Sequence, residues 1–403
     1  MLELGCFDPQ VSDAQCKAYE DEVARLTMLP LSSVVSGPDR FVRKPAPPGD
    51  LGVRAVQALL KEAGFFPGGR DDGIFGYRTL SAVRLFQEYV RSVEGQAAMV
   101  PDGDVGPKTQ AELQRWRDGG LKPQAWMAAI EGWKAGTPPA DYAAWLDLLR
   151  AAKARALAEP QAVHQLIDGF AKPTDTRKVA DWNYDDPQQI HLVGISRQTA
   201  AGLSDDVFVL LIKGLVFMFQ GSTEPGATKN PGGPPYLVPG QHDYRFGWHG
   251  SKYLALRPKG PGVLVVRQTA FDGPLATRWT GRPPETVADI NIHWGGRGLK
   301  GKVGSWSEGC QVIGGSLYLA PGGTLVDCQG YCAVGSNDPG VVQGKTRGAY
   351  NVLVDLVTAL GSDLPGTGVK YTLLLENDLA LAPAVAQQLL DAKARVGQFL
   401  PGA

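Results

Sequence analysis

A histidine and a cysteine carry the residue types of an acyl-transfer site. His293 is followed by Trp294 and two glycines, and Cys310 lies 17 positions further on, in the run Ser-Glu-Gly-Cys that begins at Ser307. A thiol becomes a strong nucleophile when an imidazole within hydrogen-bond reach removes its proton. Gly309 lets the backbone approach a substrate carbonyl, so its N–H and that of Cys310 could form an oxyanion hole. The pattern predicts nucleophilic catalysis by Cys310 with His293 as the base.

The elements that must hold these side chains begin near residue 176, where the patterning changes from helical to strand-like. The run 290–294 indicates a strand, and a strand that ends at His293 would place the imidazole at a sheet edge beside an open glycine loop. Further strands are predicted at 207–212, 215–220, 263–268 and 371–376, and helices at 351–360 and from about 380. The region is therefore expected to be mainly β with a few helices.

A short repeat occupies the N-terminal part of the chain. The pattern D-G-x-x-G-x-x-T occurs at 72–79 and again at 102–109, and 102 − 72 gives an offset of 30 residues. An Asp-Gly pair favours a tight turn, and the second glycine lets the backbone bend into a helix. Apolar residues at helical spacing follow each copy and also precede the first, where Gly64 is placed to end a helix. Three short helices joined by two related turns are the predicted structure.

Charge and hydropathy exclude two classes of partner. The 403 residues carry 40 Lys and Arg against 41 Asp and Glu, a formal net charge of -1, which excludes a general polyanion binder with clustered basic residues. The longest apolar run, 207–219, is interrupted by Lys213 and is too short to span a bilayer. We therefore expect no nucleic-acid partner and no membrane anchor.

The cysteines do not indicate a disulfide framework or a metal site. Their number, five, is odd, so they cannot all pair within one chain. The sequence has no C-x-x-C pair, and the spacing of Cys328 and Cys332 lacks the second ligand pair of a structural zinc site. No metal and no cofactor are predicted, and Cys310 stands apart from the other thiols because of its surroundings.

The chain is expected to be an α+β multidomain protein. Shifts in composition and the Pro-rich run at 44–50 divide it into an N-terminal segment with a linker (1–47), a small three-helix domain (48–118), a helical linker (119–175), a mainly-β domain (176–378) and a C-terminal helix (379–403). The helical linker carries a stripe of aromatic residues that includes Trp126 and Trp145. Such a stripe at helical spacing favours core packing over a sugar site.

The three-helix block 48–118 resembles the small peptidoglycan-binding domain found on many cell-wall enzymes. The resemblance rests on a helix with V-x-x-L-L, on D-G-I-F-G-x-x-T-x-x-A-V-x-x-F-Q at 72–87, and on D-G-x-V-G-P-x-T at 102–109. It implies a shallow groove between helices that takes a glycan or a stem peptide. The residues implied in binding are Asp72, Gly73, Phe75, Gly76, Thr79, Asp102, Gly106 and Thr109. A purely structural role for the turns, as parts of a helical spacer, stays open.

Residues 185–378 resemble the catalytic domain of L,D-transpeptidases of the YkuD type. The signature of that family is a His, a gap of similar length, and [S/T]-H-G-C followed by an apolar residue and Arg or Asn. Segments at 221–226, 239–242, 246–249 and 253–256 also resemble a phage- and toxin-type branch of the family. Two residues depart from the signature, because Glu308 replaces the second His and Val312 replaces the Arg or Asn. Glu308 adds a negative charge that opposes thiolate formation.

The resemblance implies a thioester mechanism on peptidoglycan stem peptides. Cys310 would attack the carbonyl of the third stem residue, D-Ala would leave, and His293 would take the thiol proton and return it to the leaving amine. Ser307 and Gly309 complete the expected catalytic set. The side chains expected to contact substrate are His249, Trp294, Trp306 and Glu308. The acceptor stays open among cross-linking by an amine, hydrolysis by water and exchange with a free D-amino acid.

Two other functions stay open from the sequence. The first is a zinc peptidase with ligands drawn from His242, Asp243, His249 and His293, although the sequence lacks H-E-x-x-H. The second is a cell-wall-binding protein whose cysteine domain is inactive.

The start of the sequence carries an expectation about location. The run MLELGCFDPQ has no basic residue and no apolar stretch of the kind found in secretory signals. We expect synthesis in the cytoplasm and action in the periplasm or wall of a target cell. Delivery as an antibacterial effector through a secretion apparatus, or release as a phage-type lysin, would supply the route. A secretion adaptor or an immunity protein is then an expected partner.

Overall fold

The computed structural model describes residues 1–27, 40–48, 51–197, 204–226, 232–250, 253–268, 278–279, 281–295, 307–331, 347–364 and 368–397. The chain forms two compact units. The first comprises 1–128, 246–255 and 327–367, and the second comprises 129–245, 256–326 and 368–403. Each unit is therefore assembled from separated stretches of sequence.

Helices and strands alternate along most of the chain. The helices are α1 Asp13–Thr27, α2 Val53–Glu62, α3 Tyr77–Ser92, α4 Pro107–Asp118, α5 Gln124–Lys134, α6 Ala140–Ala158, α7 Ala162–Gly169, α8 Ala349–Leu360 and α9 Pro383–Gly397. The strands are β1 Cys6–Phe7, β2 Lys44–Pro45, β3 Ile190–Ser196, β4 Asp206–Ile212, β5 Leu215–Ser222, β6 Pro235–Leu237, β7 Gly240–His249, β8 Tyr253–Pro258, β9 Val263–Arg267, β10 Glu285–Val287, β11 Ile292–Trp294, β12 Gln311–Ala320, β13 Thr324–Asp327 and β14 Gly368–Leu375. Within the described ranges, no helix combines the length and the apolar character that a bilayer span requires.

The helix α3 is the centre of the first unit. A surface helix ordinarily buries one stripe and exposes the opposite face, but α3 buries every residue from Thr79 to Glu88. The helix α8 packs along α3 and is itself almost wholly buried, which explains why α3 has no exposed face in this stretch. The predicted three-helix arrangement of α2, α3 and α4 is confirmed, and α8, itself predicted as a helix, packs beside them in a way that the sequence did not indicate.

Aromatic rings fill the space between the helices of this unit. Phe65, Phe86 and Trp116 are each at most 1 % exposed, and their ring centroids lie 5.2–5.7 Å apart. Trp126 joins them, with its centroid 5.8 Å from that of Phe65. Tilted and edge-to-face pairs of this kind favour packing beyond their buried area. Trp126 therefore belongs to the core, as its helical spacing predicts.

The N-terminal residues add a small sheet to the same unit. The strand β1 pairs in parallel with β2, which lies in the stretch predicted to be a Pro-rich linker. Proline is tolerated there because Lys44 and Ala46 donate the ladder hydrogen bonds, to Gly5 and Phe7, so that the missing N–H of Pro45 costs no bond.

Most of a closed sheet lies in the second unit, although residues 246–249 of β7 and 253–255 of β8 belong to the first. The strand order is β11-β8-β7-β14-β3-β4-β5-β12, and pairing of β11 with β12 closes it into a barrel, with β13 extending from β12. β14 pairs in parallel with β3, and β11 pairs in parallel with β12. The predicted hairpin of β4 and β5 is confirmed, since Lys213 and Gly214 have φ of 50° and 81°, the conformation of a two-residue hairpin turn.

Helices cover the outside of this sheet. Trp145 of α6 is fully buried and packs with Val193, Val209 and Leu211 of the barrel strands. Its indole N–H donates to the side-chain carbonyl of Gln388 on α9, 3.2 Å away. The predicted core role of the aromatic stripe is therefore confirmed here too.

The expected α+β class is confirmed, and the predicted strands at 207–212, 215–220, 263–268, 290–294 and 371–376 are present within a residue or a few of their expected bounds. The sequence did not indicate β3, β7 and β12. The predicted helices at 351–360 and from about 380 correspond to α8 and α9. The predicted domain boundaries stay a prediction.

Candidate functional site

Cys310 follows a tight turn at the start of β12. Ser307 closes that turn, because its hydroxyl donates to the carbonyl of Cys310 at 2.7 Å and accepts the N–H of Gly309 at 3.1 Å. A Cβ added to Gly309 would lie 2.4 Å from Cγ of Pro235, so a glycine is required by close contact. The N–H predicted for the oxyanion hole is thus held by Ser307, and it must exchange that bond before it can bind a substrate oxygen.

The sulfur of Cys310 has two backbone partners. It donates to the carbonyl of Asp289 at 3.1 Å and accepts the N–H of Asn291 at 3.3 Å. Burial raises the pKa of this thiol to about 11, against a smaller lowering by the Asn291 N–H; the carboxylates of Asp289 and Glu308 raise it further, and Arg257 lowers it. The nucleophile is therefore a protonated thiol in this arrangement.

His293 is the middle residue of β11 and is 4 % exposed. Its Nδ1 lies 2.9 Å from the carbonyl oxygen of Trp294. A carbonyl can only accept, so Nδ1 carries the proton and Nε2 is left as the basic nitrogen. This is the tautomer that a general base for a neighbouring thiol requires.

The register between β11 and β12 relates the two predicted catalytic residues. His293 is paired with Val312, and Ile292 with Gln311. Because paired residues project to the same side and residues two apart share a face, Cys310 lies on the face of His293 as its diagonal neighbour. The two residues are therefore on adjacent strands and on the same face of the sheet. The structure therefore pairs the strands that carry the two predicted catalytic residues. The thiol of Cys310, however, donates its proton to the backbone carbonyl of Asp289 and not to His293.

A buried polar network fixes the residue after the nucleophile, and the sequence did not indicate it. The fully buried amide of Gln311 accepts the hydroxyl of Tyr371 at 2.9 Å and donates to the carbonyl of Thr223 at 3.0 Å. The carboxylate of Asp206 in turn accepts the N–H and the hydroxyl of Thr223, at 2.6 and 2.7 Å. Satisfied networks of this kind favour one arrangement of a core, so Gln311 anchors the start of β12.

A second set of contacts fixes the turn that faces the sulfur. The hydroxyl of Tyr244 donates to the carbonyl of Ile290 at 2.8 Å. The guanidinium of Arg257 donates to the carboxylate of Asp289 at 2.8 Å. These residues come from β7 and β8, far from the nucleophile in sequence, so only the pairing of the strands could have identified them.

The other predicted substrate contacts are distributed more widely. Glu308 is exposed beside the nucleophile, and Trp294 is half-buried. His249 ends β7 in the first unit, with its ring centroid 5.2 Å from that of Tyr253. Trp306 lies outside the described residues. A role in substrate binding for these four residues stays a prediction.

Two of the proposed zinc ligands are committed to other partners. His242 is fully buried; its Nδ1 lies 2.9 Å from the hydroxyl of Thr176, and its Nε2 lies 3.0 Å from the carbonyl of Val238. Burial lowers the pKa of His242 to about 4. Asp243 is paired with Arg177 and Lys370. No cluster of His, Cys, Asp and Glu suited to a metal occurs in the described part of the chain. His242 is therefore a buried residue with both ring nitrogens engaged.

Two buried glutamines hold the repeated turns of the first unit. Gln57 accepts the N–H of Gly73 at 3.0 Å and donates to the carboxylate of Asp72 at 2.9 Å and the hydroxyl of Thr79 at 3.0 Å. Gly73 has φ of 76°, a conformation that favours glycine. The side chains of Asp72 and Thr79 therefore hold the turn that precedes α3.

Gln87 makes the same contacts in the second copy. It accepts the N–H of Gly103 at 2.8 Å and donates to Asp102 and to Thr109, each at 3.0 Å. Gly103 also has a positive φ, 91°. The remaining predicted binding residues are internal to these turns: Phe75 is fully buried, and Gly76 and Gly106 cap α3 and α4. Ligand binding by this set stays a prediction.

The N-terminal segment completes the same block. The carboxylate of Asp8 accepts the N–H groups of Val53 and Arg54 at 2.6 and 2.9 Å, which caps α2. The hydroxyl of Tyr19 accepts the N–H of Tyr77 at 2.8 Å, which caps α3. α2 and α3 both begin after a glycine, which has no side chain to cap the helix, and side chains from residues 1–27 supply these caps.

Comparison with known proteins identifies part of the chain. Residues 50–113 match a family model whose description is "Putative peptidoglycan binding domain". No curated protein and no solved structure matches the sequence. The matched stretch contains α2, α3, both turns and most of α4. The chain therefore carries a peptidoglycan-binding domain at 50–113, and this domain supports an association with the cell wall.

Proposed function

We propose that the chain is a peptidoglycan-modifying cysteine enzyme that acts on stem peptides through a thioester on Cys310. One observation carries the proposal: β11 and β12 place His293 and Cys310 on the same face of paired strands, with the basic nitrogen of the imidazole set by the carbonyl of Trp294. The peptidoglycan-binding domain supports the substrate class, since it supports a cell-wall association of the same chain.

The chemistry follows from the state of the thiol. Because the pKa of Cys310 is raised to about 11, the proton leaves as attack begins: the S–H turns from the carbonyl of Asp289 and passes its proton to Nε2 of His293. The sulfur bonds to the stem carbonyl, and the N–H groups of Cys310 and Gly309 stabilise the oxyanion once Gly309 has released Ser307. The C–N bond then breaks, and the imidazolium returns its proton to the leaving amine, which leaves a thioester.

The acceptor that resolves the thioester determines the product. A side-chain amine of a second stem gives a cross-link, water gives a shortened stem, and a free D-amino acid gives exchange. In each case His293 takes a proton from the incoming nucleophile, and the thiol of Cys310 is regenerated.

Product analysis on muropeptides tests the proposal directly. Purified protein is incubated with disaccharide tetrapeptides, and the products are identified by mass spectrometry. The wild type should change the stem peptides, whereas Cys310→Ala and His293→Ala should lower turnover at least about 100-fold. Cys16→Ala is the matched control, because it removes another buried thiol outside the site. Unchanged stems with folded wild-type protein would remove the enzymatic proposal.

A second function has one observation in its favour. The thiol of Cys310 is protonated and hydrogen-bonded to a carbonyl, as expected of an inactive domain on a wall-binding protein. Co-sedimentation with purified sacculi separates the two functions. Equal binding by wild type and Cys310→Ala, with no product from either, would identify a binding protein.

We also propose that the protein acts on the wall of a target cell as an antibacterial effector or lysin. The wall-associated domain at 50–113 supports the place of action. Expression directed to the periplasm should arrest growth, expression in the cytoplasm should not, and Cys310→Ala should abolish the effect. Equal toxicity of the wild type and Cys310→Ala would contradict the proposal.

A further inference from the structure

Arg257 and Asn291 lie beside the nucleophile, and the reaction steps proposed above use neither side chain. We infer that these two residues recognise the leaving residue of the acyl donor, with Arg257 binding its free carboxylate and Asn291 accepting its amide N–H. The inference rests on the proposed function.

Strand register sets the positions of these residues. Ile292 of β11 is paired with Leu256 of β8 on one side and with Gln311 of β12 on the other. One residue before Ile292 is Asn291. In the same register, Asn291 is opposite Arg257 on the antiparallel strand β8 and opposite Cys310 on the parallel side, next to β12. Residues in one row project to the same face of a sheet. Arg257 and Asn291 therefore share the face of the nucleophilic sulfur.

Contacts confirm that the guanidinium is close to the sulfur. The thiol of Cys310 donates to the backbone carbonyl of Asp289, and the side-chain carboxylate of the same Asp289 accepts from Nη2 of Arg257 at 2.8 Å. One residue thus connects the nucleophile with the cation. The Asp289 side chain is 80 % exposed and that of Arg257 is 34 % exposed, so the pair is open to solvent and to a ligand.

The chemistry of Arg257 suits a carboxylate. A guanidinium offers five N–H donors in a planar fork that matches a carboxylate bidentately. An ion pair with an exposed partner contributes little stability, so a second carboxylate can join or replace that of Asp289. The β8 strand therefore places a cation on the face of the nucleophilic sulfur.

Asn291 supplies the complementary acceptor. Its side chain is 5 % exposed, and among the described residues its Oδ1 has no hydrogen-bond partner. A buried acceptor without a partner is unfavourable, and a ligand N–H would satisfy it. A C-terminal residue presents an amide N–H and a carboxylate on the same Cα. The acceptor of Asn291 and the donors of Arg257 match those two groups.

Two donors that differ only at their terminus test the inference. They are a stem tetrapeptide with a free C-terminal carboxylate and the same peptide as its C-terminal amide, assayed for kcat and KM. The wild type should favour the free acid by about 30-fold in kcat/KM, an amount typical of one bidentate charge pair. Arg257→Gln should remove this preference, so that the free acid and the amide are used with equal kcat/KM. Arg257→Lys should retain part of it, because lysine keeps the charge without the fork.

Control variants separate recognition from a general effect of charge. Arg267→Gln removes another strand arginine with an exposed carboxylate partner, Glu285, and should leave both donors unchanged. Asn291→Ala should raise KM for both donors, because both carry the amide N–H. An equal loss for both donors in Arg257→Gln, or a wild type indifferent to the terminus, would overturn the inference.

Binding to an inactive variant distinguishes failure of the inference from failure of the proposed function. Calorimetry on Cys310→Ala should show tighter binding of the acid than of the amide, and Cys310→Ala with Arg257→Gln should bind them equally. Discrimination without turnover by the wild type would support recognition and contradict the enzymatic proposal. Neither binding nor turnover of either peptide would overturn both.

Discussion

Gln57 and Gln87 hold equivalent turns of the first unit with the same hydrogen bonds, 30 positions apart. Each amide joins the Asp and the Thr of its turn, and each accepts the N–H of a glycine with positive φ. The repeated pattern that resembles a ligand site is therefore also a repeated structural device. This repeated geometry fixes the starts of α3 and α4.

Loss of either glutamine should destabilise this unit. Gln87→Leu removes the donors of Asp102 and Thr109 and leaves the N–H of Gly103 unsatisfied, so the free energy of unfolding should fall by about 2–3 kcal/mol. Chemical denaturation followed by tryptophan fluorescence measures this change. Gln124→Leu, at an exposed position, is the control and should stay within about 0.5 kcal/mol of wild type.

The turn before the nucleophile should respond to the hydroxyl of residue 307. Ser307→Ala breaks the bonds to Cys310 and Gly309, so kcat should fall by roughly 10-fold and stability by about 1 kcal/mol. Ser307→Thr retains the hydroxyl and should recover most of the activity. The exposed Thr324→Ala serves as control. Activity of Ser307→Ala equal to that of wild type would show that the turn holds without this side chain.

The reactivity of Cys310 should be low at neutral pH. Burial raises its pKa from 9.0 to about 11, so alkylation by iodoacetamide at pH 8 should be about 100-fold slower than for an unfolded thiol and should increase up to pH 11. The folded state holds this proton more tightly than the unfolded state, so its stability contribution is complete below pH 9 and decreases as the pH rises toward 11. Subtracting the signal of Cys310→Ala isolates the site. A rate that is already at its plateau at pH 7 would instead indicate a preformed thiolate.

Asp206 should make stability depend on pH between 4 and 7. Burial raises its pKa from 3.8 to about 7, against hydrogen bonds from Thr223 and Arg197 that lower it. A carboxyl with a raised folded pKa stabilises most below its ordinary pKa, so this contribution decreases as the pH rises through 7, by roughly 2–4 kcal/mol. Denaturation curves of Asp206→Asn at pH 4 and pH 8 should show a smaller difference than wild type. Asp205→Asn, beside it, should retain the wild-type difference.

The sequence predicted those features of the fold and the candidate site that are determined by residues close together in the chain. The turns with Asp-Gly, the hairpin at Lys213 and Gly214, and the Cys310 motif are short and have direct conformational or chemical causes. The sequence also contains Gln57 and Gln87 at the 30-residue offset of the repeat, and extending the repeat to that offset would have identified them.

Features that depend on strand pairing could not be predicted in this way. Arg257 and Asn291 reach the nucleophile only because β8 and β11 are paired, and Gln311 meets Tyr371 across the interior of a closed barrel. β7 was missed because many of its residues are polar. A barrel strand can bury polar side chains when they are hydrogen-bonded, as His242 shows.

The packing of α3 against α8 has a consequence for how the chain matures on the ribosome. In the first unit, Ser81 of α3 donates to the carboxylate of Asp355 on α8 at 2.7 Å, and the two helices are separated by more than half of the sequence. During synthesis, α2, α3 and α4 leave the ribosome first, and the apolar side that later packs against α8 is exposed until α8 is made. They acquire their partner only after most of the barrel strands have been translated, so a nascent chain that stalls early exposes a surface on which chaperones can act.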